Sequence, residues 1–182
     1  MPTASHLHAA WVAGVCLTGC AVSAGPVIVH SPSLGFESPY LGATVRGDAT
    51  IKERLIVRAE GSYLDAQKLD TGDGYGLSGS GLAGAKFGRF LALGGYRWNQ
   101  TVTSAYAKDS AQWLAEAGYH FRSGGIVSGT YSLETDGSGW DSYGLRCEVP
   151  MRRVLVFSTW EHMNFDTFSG DRVSLGALWR FN

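Results

Sequence analysis

The chain has 182 residues, enough for one domain and cramped for two. Charged residues are only 17% and the formal net charge is -1, so the basic footprint of a nucleic-acid binder is missing and no such partner is expected. Glycine numbers 25 residues, yet it falls within alternating segments rather than a collagen or linker period, and aromatics at 12% point to an ordered sheet.

The first 24 residues, "MPTASHLHAAWVAGVCLTGCAVSA", carry no Lys, Arg, Asp or Glu and read as a secretory leader. Two processing sites compete: a cut after Ala24, or lipidation of Cys20 in the lipobox-like Leu17–Cys20. The barrel would then occupy residues 25–182. No later apolar run reaches the roughly 18 residues of a membrane helix. With Cys16 in the leader and Cys20 the possible lipid site, Cys147 remains alone and reads as a small buried hydrophobe.

From residue 42 the chain alternates. Arg46, Asp48 and Thr50 fall on one face of an extended segment, Val45, Gly47, Ala49 and Ile51 on the other. A turn at Lys52–Arg54 sets Asp48 opposite Arg58 and Arg46 opposite Glu60, two cross-strand pairs of opposite charge. The next two segments turn at Gly88-Arg89, placing Gly81 opposite Tyr96 and Gly79 opposite Trp98, rings expected to cover the glycines. A turn at Ser123–Gly125 gathers Trp113, Tyr119, Val127, Tyr131 and Leu133 on one face, with Gln112, Glu116, His120 and Glu134 on the other. The segments flanking Arg152-Arg153 align Leu145 with Trp160 and leave Arg146 near Glu161, but send Leu155 and Phe157 to the polar side, so the register of the second is open. "RVSLGALWRFN" closes the chain in clean alternation.

Tight turns near residues 52, 88, 124 and 152 alternate with longer, polar connections at about 67–76, 100–110, 135–141 and 164–171. Rings collect toward strand ends: Tyr63, Trp98, Tyr143 and Trp160 toward the long loops, Phe87, Phe90, Tyr119, Phe121, Trp179 and Phe181 toward the turns. On these features residues 26–182 resemble a small bacterial outer-membrane β-barrel of the OmpA/OmpX-like type, and the final strand looks like a C-terminal insertion signal, although Asn182 follows the aromatic.

The resemblance implies an all-β, antiparallel up-and-down transmembrane barrel in the bacterial outer membrane. Its partners would be membrane lipid and, through the last strand, the barrel-assembly machinery; an extracellular partner is unstated. Parity of the ends asks for a strand at "PVIVH" (Pro26–His30), giving ten strands, with eight as the alternative. A lumen this narrow is expected to be filled by Arg46, Asp48, Arg58, Glu60, Lys86, Arg97, Glu116, His120, Arg146, Glu148 and Arg180, neutralising one another. No catalytic, metal or cofactor site is expected: Glu161 and His162 are consecutive and face opposite ways, and the carboxylates of "DTGDG" and "TDGSGWD" lack calcium-loop spacing. The expected role is structural or interactive. Two other readings stand beside it: a soluble lipocalin-like barrel with its apolar face inward around a hydrophobic ligand, and an outer-membrane lipid-modifying enzyme.

Overall fold

The computed structural model describes residues 21–34, 36–51, 54–69, 72–103, 107–135, 140–165 and 167–181. The leader, with Leu17–Cys20 and Cys16, lies outside them, except that its last four residues already belong to a strand. The strands are β1 (Ala21–Ser31), β2 (Phe36–Ile51), β3 (Leu55–Leu69), β4 (Gly72–Phe87), β5 (Phe90–Thr103), β6 (Ala107–His120), β7 (Ile126–Glu134), β8 (Asp141–Met151), β9 (Val154–Asn164) and β10 (Ser169–Phe181). Each pairs antiparallel with its sequence neighbours, and β1 closes on β10, so the sheet is a ten-stranded barrel without a free edge. "PVIVH" lies inside β1. Pro26 has no N–H to give; the β1–β10 ladder skips Gly25 and Pro26, running from Ala24↔Trp179 to Val27↔Gly176.

The hairpin registers are those that alternation demands. Ile51 faces Leu55 and Asp48 faces Arg58 across the first turn; Phe87 faces Phe90 across Gly88-Arg89; Leu145 faces Trp160 across Arg152-Arg153. Two-residue hairpins want positive φ, which Gly88 supplies at 62° and Arg152 at 55°.

The same alternation settles inside from outside. Tyr63 and Trp179 are 45% and 49% exposed on the outer wall, whereas Arg46 is 3% exposed within. A lipocalin-like arrangement, apolar within and charged without, is therefore ruled out for this chain. Outer rings contact one another in two bands. Near the turns Tyr119 lies 5.2 Å from both Phe90 and Phe121; farther up, Tyr63 meets Tyr75, Tyr96 meets Trp113 and Tyr143 meets Trp160, all at about 6 Å.

Four expectations need correction. Two of the four connections at the far end are shorter than expected: β3 reaches Leu69 and β4 starts at Gly72, β5 reaches Thr103 and β6 starts at Ala107, whereas β7 ends at Glu134 and β8 starts at Asp141 as expected. Polar residues that read as loop continue the ladder, because Thr101, Val102 and Thr103 suit a strand in water as well as one in lipid. Gly79 and Gly81 are not covered by rings, since a Cβ at either would meet nothing within 4 Å; Tyr96 turns to Trp113 instead. Cys147 is exposed on the outer wall, not buried, because that wall has no protein layer over it. The interior, finally, is not ionic throughout. Leu155 and Phe157 do point inward, where they pack with Val27, Val29 and Leu178; across the lumen Ile56, Leu82, Leu91, Leu93 and Leu114 form a second apolar pad. Charges fill the space between the pads.

Candidate functional site

The site is the lumen, and period-two alternation builds it. Every second residue of a strand points to the axis, so charges two apart, Arg46 and Asp48, Arg58 and Glu60, Arg146 and Glu148, enter together. Facing walls lie within reach of an arginine at this barrel size. Guanidinium groups accordingly bridge the lumen more than they pair along neighbouring strands.

Arg58 of β3 donates from Nη1 to both oxygens of Glu116 on β6, at 2.8 Å each, and its Nε lies 3.0 Å from Asp48 Oδ1. Arg46 of β2 holds Asp48 at 2.6 Å and reaches Glu148 on β8. Arg146 of β8 holds Glu148 at 2.7 Å and crosses to Glu60 on β3 at 3.0 Å. Three guanidiniums thus meet four carboxylates in one connected set. Arg46 and Glu60 stand opposite each other in register but choose other partners, and Arg146 joins Glu60 and Glu148 rather than Glu161. The Arg146 guanidinium also lies 4.7 Å over the Phe157 ring, which joins the charges to an apolar pad.

Nearer the far end a second, smaller set centres on Glu161 of β9. Arg97 of β5 donates to Glu161 Oε1 at 2.6 Å, Arg172 of β10 donates to Oε2, and the Ser142 hydroxyl donates to Oε1 at 2.7 Å. Glu161 and Arg172 were not among the expected lumen charges. Arg172 shares a face with Arg180 in the clean last strand, a signal that was legible; Glu161 was hidden by the open register of β9.

Three expected members do not join. Arg180 stands opposite Ser23 near the turn end and is exposed, since a strand end has no facing wall to reach. Lys86 makes no ion pair among the described residues, and His120 Nε2 is buried without a hydrogen-bond partner. Between the two sets the lumen retains a cavity of only about 130 Å³.

Above Glu161 the lumen widens to a vestibule of about 350 Å³ at the far end, where Tyr40, Leu64, Met163 and the loop rings Trp140, Phe165 and Phe168 line its wall. Gln112 of β6, 1% exposed, lines it too.

No protein-family model and no curated protein sequence matches the chain. Solved structures with a similar backbone include the outer membrane protein Ail of Yersinia pestis in a phospholipid bilayer nanodisc, at TM-score 0.47 and 12% identity over 89% of this chain and 98% of that one. Outer membrane phospholipase A from Escherichia coli gives TM-score 0.48 and 7% identity over 87% and 92%. The KdgM porin gives 0.45 and 8% over 90% and 99%. The likeness is to outer-membrane β-barrels.

On the outer wall His162 bonds Asp171 through Nδ1 at 2.9 Å and Asn164 through Nε2 at 3.1 Å, and stacks near Tyr143. The ring nitrogen that a serine nucleophile would need is held by an amide oxygen, and Ser33 bonds the backbone of Asp171, not the imidazole. Among the described residues no three His, Cys, Asp or Glu converge to hold a metal.

Proposed function

We propose that the chain is a transmembrane barrel of a bacterial outer membrane, structural or interactive in role and not an enzyme, with a lumen closed to bulk solutes by its crossing ion pairs. The observation that carries this is the inversion of the barrel: large apolar side chains such as Leu41, Phe87, Phe90 and Trp113 stand exposed outside, while Arg46, Arg58, Glu116 and Glu148 are buried inside. In water such an exterior would be an aggregation hazard; in hydrocarbon it is the solvent-facing surface. Membrane lipid is then the first partner, and β10, with Trp179 and Phe181 on its outer face, is the strand offered to the barrel-assembly machinery.

The ends of the chain fit the same reading. Val22 pairs with Phe181 and Ser23 with Arg180, so lipidation at Cys20 would keep β1 whole, while a cut after Ala24 would remove its first four residues. The ladder supports the first. The mass of the mature N-terminal peptide separates them.

Two measurements test the core of the proposal. Detergent-extracted protein is expected in the outer-membrane fraction with heat-modifiable gel migration; a water-soluble product would refute it. In planar bilayers the native barrel is expected to pass no large steady current, and a stable open conductance would refute the closed lumen.

A further inference from the structure

In the mid-lumen each charged group has an ion-pair partner, even though Glu148 Oε2 and Arg146 Nη2 make no hydrogen bond, whereas the vestibule above holds neutral polar groups with no partner of either kind. Gln112 is almost fully buried, and neither its amide nitrogen nor its amide oxygen makes a hydrogen bond. The indole N–H of Trp140 is likewise buried and unpartnered. Both residues line the same cavity of about 350 Å³, a size within the small-molecule range. Leaving such groups unpaired costs about 1–3 kcal/mol each, and buried polar groups in native proteins are as a rule bonded.

The remaining lining says what would bond them. Its charged side chains are Arg97, Arg172 and Glu161, two guanidiniums to one carboxylate, with the buried Glu134 opposite Gln112 in register just outside the lining. The wall carries a stack of rings: Trp140 and Phe165 lie 5.1 Å apart at 21°, Phe165 and Phe168 4.4 Å apart at 19°. All three rings line the cavity, and a near-parallel stack offers another flat ring a surface on which to lie.

We propose that the vestibule is a binding site for a small aromatic carboxylate, its ring laid against the Trp140–Phe165–Phe168 stack and its carboxylate at Arg97 and Arg172, within reach of the Gln112 amide and the Trp140 N–H. Arginine pairs favour a carboxylate over a neutral head group through charge-assisted hydrogen bonds. The inference requires a folded barrel but neither a closed lumen nor a particular processing site, so it fails separately from the proposed function.

The test uses 2-naphthoate as the probe and the full barrel in lipid nanodiscs, its fold checked by heat-modifiable migration, with protein-free nanodiscs as the partition control. Saturable one-to-one binding is expected by equilibrium dialysis. Naphthalene-2-methanol, with the same ring and no charge, is expected to bind at least about ten-fold more weakly, and Q112L and W140F to weaken naphthoate by at least about five-fold. W140F keeps an aromatic ring in the stack while removing the N–H donor together with the pyrrole half of the indole, so it carries the test if Q112L fails to fold. Uptake equal to protein-free nanodiscs would overturn the proposal and mark the vestibule as a water-filled mouth; so would equal binding of the alcohol, or wild-type affinity in W140F.

Discussion

The middle and the top of the lumen are built from the same residue types and differ in how their polar groups are used. In the middle, Arg46, Arg58 and Arg146 each contact two carboxylates, and the space left is about 130 Å³. At the top, the Gln112 amide and the Trp140 indole N–H make no hydrogen bond and the space is about 350 Å³. Groups that answer one another hold walls together; groups left waiting for an outside partner give a cavity something to recognise. The first region is expected to govern stability, the second affinity.

The largest expected effect lies in the middle. Arg46→Met deprives Asp48 and Glu148 of a partner in a buried setting, Arg46 and Glu148 each being 3% exposed, and is expected to cost about 3–5 kcal/mol in urea unfolding from lipid vesicles. Adding Glu148→Met leaves Asp48 with Arg58 and Arg146 with Glu60, so the double variant is expected to fall short of the summed single costs by about 1 kcal/mol or more; strict additivity would contradict a connected network.

A backbone contrast on one strand comes next. Gly84 and Gly76 share the inner face of β4, yet a Cβ at Gly84 would lie 2.0 Å from the Ala92 carbonyl oxygen, while at Gly76 its nearest neighbour is 3.7 Å away. Gly84→Ala is expected to cost about 1–3 kcal/mol in the same unfolding assay and Gly76→Ala less than about 0.5 kcal/mol. Equal costs would mean the lumen is no tighter below than above.

The smallest effect on stability belongs to Gln112→Leu. Replacing an unpartnered amide by an apolar group of similar size is expected to change unfolding by less than about 1 kcal/mol, even as it weakens naphthoate binding. A loss as large as that of Arg46→Met would place Gln112 among the structural groups and erase the distinction.

Much of this was legible in the sequence, and the limits are physical. Strand faces and hairpin registers follow from period two and short turns, so Asp48 against Arg58 or Phe87 against Phe90 needed no tertiary information. Closure was readable too, from the parity that demanded a strand at Pro26–His30. Partner choice was not: which carboxylate an arginine takes depends on the facing wall, as Arg146 with Glu60 shows, 86 positions away. Strand ends were also hidden, since Gly, Thr and Asp describe a wet strand and a loop alike. The unpartnered state of Gln112 and Trp140 is a property of the cavity and has no sequence signature.

Strand length has one last consequence. A strand of sixteen residues such as β4, tilted about 40°, rises about 40 Å, and one of nine such as β7 about 23 Å. The longest strands run through β2 to β6 and the shortest is β7, so the laddered wall is uneven in height. In the proposed membrane setting, with the turns at one bilayer surface, the laddered wall at β7 would end nearest the headgroups of the other. In that setting a molecule travelling along the membrane would meet this lowest part of the wall, and beside it Trp140, sooner than one arriving straight from the surrounding water.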